Sequence, residues 1–151
     1  MNKYNYTQNK SDYKTPPELI KKALNIIYPA ACFSLDTCCS DTDFPASHHY
    51  INGKIDGLKA NWMFFNWCNP PFNECSKWIK KAYEEQQKGK FTVMLIPVRT
   101  ETKYWHDYIL FNPHVSIHWL RKGYKFIDAE TGKSLGIFKN ALALVVFIGK
   151  E

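Results

Sequence analysis

Asn69-Pro70-Pro71-Phe72 is the stretch of this chain whose residue types and spacing can do chemistry. It follows an apolar and aromatic run (Trp62, Met63, Phe64, Phe65, Trp67) and precedes a segment with helical spacing. An amide or acid followed by Pro-Pro-aromatic at the end of a strand suits methylation of an exocyclic amine on a nucleobase. The lone pair of such an amine is delocalised into the ring, so the nitrogen is a poor nucleophile. Two acceptors aimed at its N–H groups direct the lone pair toward an incoming methyl group. The Asn69 side-chain oxygen and the Pro70 backbone carbonyl can be those acceptors. The prolines fix φ, remove competing N–H donors and hold Asn69 extended. Phe72 offers a flat face to a base drawn out of its stack. Taken alone, the tetrad reads equally well as a stiff loop after a strand.

Two acids stand where a cofactor would need them. Cys32-Phe33-Ser34-Leu35-Asp36 alternates like a strand ending in an acid. Thr37, Cys38, Cys39, Ser40 and Asp41 then suit a loop at the strand's carboxyl end, the edge where open α/β sheets bind ligands. A carboxylate there can hold the ammonium group of an amino-acid-like cofactor; a turn aspartate is the competing reading. Asp56, beside Gly57, can accept a bond from an adenine amino group or simply close a turn. His48 and His49 are neighbours without a converging third ligand, so they read as surface residues and no metal is expected.

The elements that must position these groups follow from pattern. Thr15-Pro16-Pro17-Glu18 carries a capping-box signature, with Thr15 as N-cap and Pro16 at the first helical position. Leu19, Ile20, Ala23, Leu24 and Ile27 continue it at helical spacing to Pro29. Phe44 to Gly53 reads as an irregular loop. Residues 74–88 read as a helix with Trp78, Ile79, Ala82 and Tyr83 on its apolar face and Lys77, Lys80, Lys81, Glu84 and Glu85 on its wet face. Phe91 to Ile96 is a buried central strand, Lys103 to Phe111 a short helix, and Val115 to Leu120 and Ala141 to Ile148 are strands. Arg121-Lys122-Gly123-Tyr124-Lys125-Phe126 forms a basic, aromatic corner, able to grip phosphates and stack bases or to serve as a solvated turn. Residues 128–140 carry turn signals at Gly132 and Gly136. The whole predicts an open α/β fold: a mostly parallel central sheet ending in antiparallel strands, with flanking helices.

Composition sets the remaining bounds. The 151 residues suit one domain, residues 13–151, preceded by a flexible arm over residues 1–12. A hydrophobic fraction of 45% and an aromatic fraction of 16% exclude a disordered chain. The net charge of +6 favours an anionic partner, nucleic acid first among them. Five cysteines, an odd number without a C-x-x-C pair, indicate reduced thiols and a cytoplasmic location. No apolar run reaches roughly 18 residues, so no membrane span is expected.

Together these stretches resemble the small phage-type DNA N6-adenine methyltransferases, the phage Dam family, over nearly the whole chain. The resemblance rests on Tyr13-x-Thr15-Pro16-Pro17-x-Leu19, Phe33-x-Leu35-Asp36-x-Cys38-x-Ser40, Asp56-Gly57-Leu58-x-x-x-Trp62, Asn69-Pro70-Pro71-Phe72, Leu95-Ile96-Pro97-x-Arg99-Thr100-x-Thr102 and Leu144-Val145-Val146-Phe147. It implies a single-domain Rossmann-like methyltransferase fold, S-adenosylmethionine as cofactor and adenine in DNA as acceptor, in the bacterial host cytoplasm if the chain is phage-encoded. Asn69, Pro70, Pro71 and Phe72 would bind and activate the amine. Tyr13, Thr15, Pro16, Asp36 and Cys38 would surround the methionine portion of the cofactor, with Asn69 adjoining. Asp56 and Leu58 would hold its adenosine portion. Arg99, Lys103, Arg121, Lys122 and Lys125 are the candidates for DNA contacts, with a solvated surface as the alternative. Two departures stand out: Cys38-Cys39-Ser40 replaces the glycine-rich loop of larger methyltransferases, placing side chains where backbone usually approaches the cofactor, and Gly123-Tyr124 replaces Gly-Arg. The chain leaves little room for a target-recognition domain. Recognition would fall to the His48–Ile55 loop, the Arg121–Lys125 corner, a partner protein or a second copy of the chain. The competing functions are a non-catalytic module that binds DNA or a protein, and an amino methyltransferase acting on cytosine N4, RNA or protein glutamine.

Overall fold

A computed structural model describes residues 13–128 and 131–151; the expected arm at residues 1–12 lies outside the described residues, as does the side chain of Tyr13. The chain order is β1 (Tyr13–Lys14), α1 (Pro17–Ile26), β2 (Phe33–Cys39), β3 (Ala46–Ile51), β4 (Phe65–Cys68), α2 (Cys75–Gln87) and β5 (Phe91–Pro97). Then come α3 (Lys103–Trp105, running on as π-helical His106–Leu110), β6 (Val115–Trp119), β7 (Lys125–Asp128), β8 (Ser134–Ile137) and β9 (Leu142–Phe147). Six strands form the main sheet in the order β3-β2-β4-β5-β9-β6, and β1-β7-β8 form a small sheet. β3, β2, β4 and β5 are mutually parallel, while β9 runs antiparallel between β5 and β6. The architecture is thus mixed α/β with a mostly parallel main sheet, as expected. Among the described residues no helix is long and apolar enough to cross a membrane.

Two apolar layers explain the uninterrupted hydrophobic runs of β5 and β9. Val93 and Leu95, with Leu142, Leu144 and Val146, pack on Leu19, Ala23 and Ile27 at α1, on Phe126 of the small sheet and on Phe138 just after it. Met94 and Ile96, with Ala143, Val145 and Phe147, pack on Trp78, Ile79 and Ala82 of α2 and on Trp105 and Ile109. A strand covered on both faces has no wet side to mark with polar residues. α2 presents Cys75, Trp78, Ile79, Ala82 and Gln86 to this interior, and Gly89 at φ 86 ends it in the left-handed conformation that glycine adopts freely.

Five expectations are corrected. β2 continues past Asp36 to Cys39. The segment read as an irregular loop from Phe44 to Gly53 contains β3, a parallel edge strand paired to β2. An edge strand pairs on one side only, so Ser47-His48-His49 suffices without apolar alternation, and Phe44 anchors the return by stacking on Trp67 (4.6 Å, 9°). Lys81 and Glu85 are not on the wet face: they are 8% and 0% exposed. Glu85 Oε1 accepts from Lys81 Nζ (2.9 Å) and Lys88 Nζ (3.0 Å), so the charge is buried as a hydrogen-bonded group. Parts of the stretch read as corner and turns fold as β7 and β8. Finally, Pro16 rather than Thr15 occupies the N-cap position of α1, and no side chain caps it.

Candidate active site

The parallel strands β2 and β4 end side by side, with Asp36 paired to Trp67 and the Thr37 hydroxyl donating to the Trp67 carbonyl (3.0 Å). Asn69 therefore emerges beside the Thr37–Cys39 end of β2. Its side chain is fully buried, and Nδ2 donates to Thr15 Oγ1 at 3.1 Å. Oδ1 is buried and has no hydrogen-bond partner among the described residues. The indole nitrogens of Trp67, Trp78 and Trp105, Thr92 Oγ1 and Glu85 Oε2 share that condition. What sets Asn69 apart is its place at the carboxyl edge of the parallel strands, followed by two prolines with no N–H to offer. An unpaired buried carbonyl oxygen costs stability, so it marks a place where a donor from outside the chain would be welcome.

Pro70 and Pro71 are buried and lead into a single 3₁₀ turn over Phe72–Glu74. The half-buried Phe72 ring stands nearly perpendicular to Phe138 (5.3 Å, 74°) and Phe126 (6.2 Å, 84°). The tetrad is thus held at both ends: Asn69 by Thr15, which follows β1, and Phe72 by β7 and the residue after β8.

Two cavities share the end of β2. The larger, about 580 Å³, is walled by Cys38, the Asn52–Leu58 segment, Pro71, Glu74 and Trp78. Within it Leu58 N donates to Asp56 Oδ1 (2.9 Å), so the Asp56 carboxylate closes its own turn. A Cβ at Gly57 would lie 2.1 Å from the Thr37 carbonyl and 2.9 Å from the Trp78 ring, and Trp62 Nε1 donates to the Gly57 carbonyl (2.7 Å). Close approach, rather than turn geometry, explains this glycine. The smaller cavity, about 80 Å³, is lined by Thr15, Asp36, Cys39, Asp41 and Asp43 together with Lys14. Lys14 pairs with Asp43 and with Asp41 (3.3 Å); the hydrogen bond to Asp43 is the main reason its pKa is raised.

The structure distributes the predicted residues unevenly. Thr15 and Asp36 meet at the smaller cavity, and Cys38, Asp56 and Leu58 at the larger. Asn69 lines neither, and Pro16 is buried. The thiols of Cys38 and Cys39 point toward Asn52 Oδ1 (3.8 Å) and the Tyr50 carbonyl (3.3 Å) respectively, so both turn toward β3 or the turn that follows it. Cys75, at the start of α2, is no nucleophile: burial pushes its pKa up to about 12. Among the DNA candidates, Arg99 pairs with Glu101, and Lys103 pairs with Asp107 one helical turn away. Arg121, Lys122 and Lys125 are exposed and form no ion pair among the described residues. No cluster of three metal-ligating side chains exists among the described residues.

Sequence reasoning missed Trp78 as a cavity wall, Thr15 as the partner of Asn69, and Phe126 and Phe138 as the neighbours of Phe72. The last two flank the glycine turn signals that obscured a strand face. Nothing local marks a bond between residues 54 positions apart. Comparison with known sequences agrees with the geometry: the sequence model of the family described as DNA N-6-adenine-methyltransferase (Dam) matches residues 4–151. No curated protein matches.

Proposed function

The chain belongs to the DNA N-6-adenine-methyltransferase (Dam) family, and from that premise we propose that it transfers the methyl group of S-adenosylmethionine to the N6 amine of adenine in DNA, on a Rossmann-like methyltransferase fold. The observation that carries this reading is Asn69 Oδ1, buried and unpaired at the carboxyl end of β4.

The residues present fit the cofactor. The larger cavity lies within the ~300–1,000 Å³ typical of small-molecule sites, and its Asp56 and Leu58 would hold the adenosine portion. Asp36 and Thr15, in the smaller cavity, would hold the amino-acid end. S-adenosylmethionine, when bound, supplies an electrophilic methyl group on a sulfonium. The chain's own work is then positioning and lone-pair control. Asn69 Oδ1 and the Pro70 carbonyl accept from the two N–H groups of the amine, turning its lone pair out of the ring system. Phe72, braced by Phe126 and Phe138, holds the base plane. No strong base is needed, because the amine becomes acidic as it is methylated. Holding nucleophile and methyl carbon in line supplies most of the acceleration.

Asn69 is wholly buried, so the base reaches Oδ1 only as neighbouring chain shifts. The small sheet touches one end of the tetrad through Phe126 and Phe138, and β1 leads into the Thr15 contact at the other. The reading puts the protein in the cytoplasm with the DNA it modifies, and of the five DNA-contact candidates Arg121, Lys122 and Lys125 are the ones without an ion pair among the described residues, so they would meet phosphate.

A second reading, a non-catalytic module on the same fold, is favoured by the Cys38 and Cys39 side chains that line the two cavities. A competition assay separates the possibilities. Methyl-labelled S-adenosylmethionine is offered with adenine-containing DNA, cytosine-containing DNA, RNA and a glutamine peptide. Label recovered as N6-methyladenine supports the proposal, and label on another acceptor moves the activity there. No label, with no calorimetric binding of cofactor, leaves the non-catalytic module.

A further inference from the structure

An asparagine is useful to an amine only through its oxygen. Turned by 180° about Cβ–Cγ, the same side chain would point N–H donors at a group that itself donates. Something must therefore choose the orientation of the Asn69 amide, and its own neighbours cannot. Pro70 and Pro71 have no N–H.

The group that holds the Nδ2 end of the amide is Thr15. Its hydroxyl oxygen lies 3.1 Å from Asn69 Nδ2, and both side chains are buried. Thr15 is itself fixed on both sides. Lys14 is held in the small sheet opposite Ile127, and Pro16 and Pro17 restrict the chain that follows. Because Oγ1 accepts the Nδ2 proton, Oδ1 is left unpaired. Had the Thr15 hydroxyl donated to Oδ1 instead, the one acceptor the reaction needs would be occupied. We infer that Thr15 is a positioning residue that holds the Asn69 amide with its oxygen toward the target amine. The role rests on the adenine-methylation reading and goes beyond lining a cofactor pocket.

The test uses Thr15→Val, which keeps the shape and removes the hydroxyl, and Thr15→Ser, which restores it. Three quantities are measured: kcat at saturating cofactor, cofactor affinity by calorimetry, and the Asn69 side-chain amide signals by ¹H–¹⁵N NMR, assigned through their loss in Asn69→Asp. Thr15→Val should lower kcat at saturating cofactor about ten-fold or more, beyond any loss of cofactor affinity, and make the Asn69 amide protons exchange faster with solvent. Thr15→Ser should recover most of all three. A Thr15→Val protein with full kcat, or with weakened cofactor affinity as its sole defect, would overturn the positioning role. If the wild type transfers no methyl group, the reading of the reaction has failed instead. The amide signals then still decide whether Thr15 holds Asn69, and unchanged signals in Thr15→Val would overturn that bond.

Discussion

Asn66 and Asn69 sit at opposite ends of β4, and neither is exposed at all. Asn66 is closed: its oxygen accepts from Met63 N (3.0 Å), and Nδ2 donates to the carbonyls of Met63 (2.7 Å) and Phe91 (3.1 Å). Asn69 is half open: Nδ2 is engaged by Thr15 and Oδ1 by nothing among the described residues. The same residue type, equally buried, ties the chain together at the amino end of the strand and keeps an acceptor in reserve at the carboxyl end. Burial alone therefore does not identify a functional polar group. Unspent hydrogen-bonding capacity at the carboxyl edge of the parallel strands is what makes Asn69 the candidate.

This contrast yields unequal stability predictions for two alanine substitutions. Asn66→Ala orphans the Met63 N–H and carbonyl and takes one bond from the Phe91 carbonyl, so it should cost about 2–3 kcal/mol, at roughly 1 kcal/mol per buried group left unpaired. Asn69→Ala breaks one hydrogen bond and removes an unpaired oxygen, so its cost should stay within about 1 kcal/mol. Denaturant melts of both proteins check the pair; equal losses would erase the distinction between the two ends of β4.

Gly57→Ala sharpens the comparison at the site edge. The new Cβ would collide with the Thr37 carbonyl and the Trp78 ring, so overpacking should cost about 1–3 kcal/mol and weaken cofactor binding in the larger cavity. Gly132→Ala meets no atom within 4 Å, carries only the strain of φ 68 and lines neither cavity, which makes it the control. Equal cofactor affinities in the two variants would remove Gly57 from the site.

The smallest effect concerns Glu85, a second buried polar side chain with one atom engaged and one not. Burial raises its pKa, but the hydrogen bonds from Lys81 and Lys88 outweigh burial and leave it below the usual carboxylate range. A carboxyl whose folded pKa is depressed stabilises the fold above its unfolded pKa of about 4.3 and loses that contribution as pH falls through the folded value. Wild-type stability should thus fall in the acid range below that point, and Glu85→Gln should flatten the fall. Identical profiles for the two proteins would show that the buried pairing does not contribute.

How far the sequence could be read follows from how local each signal was. Asn69-Pro70-Pro71-Phe72, the apolar runs of β5 and β9 and the amphipathic period of α2 are local patterns, and each lies where it was expected. β3 was hidden because an exposed edge strand has no need of apolar residues. β7 and β8 are only four residues each, and β8 is interrupted by Gly136. Lys81 and Glu85 look solvent-facing by type, and only Lys88 and the Trp62 ring, 5.9 Å from Lys81 Nζ, reveal that they are buried together. Thr15 misled most usefully. Its tetrad matches a capping box, yet its hydroxyl serves a side chain on another strand's end, a partner that only the fold brings near.

In the proposed reaction the open end of β4 carries the chemistry and the closed end does not. The most direct test is single-turnover methyl transfer to adenine in DNA by Asn69→Ala and Asn66→Ala, each at saturating cofactor and normalised to folded protein. Asn69→Ala should be about 10²–10³-fold slower than the wild type, the loss seen when one preorganised polar group at a reacting centre is removed, while Asn66→Ala keeps nearly the wild-type rate. Near-wild-type transfer by Asn69→Ala, or an equal loss in both, would contradict the account.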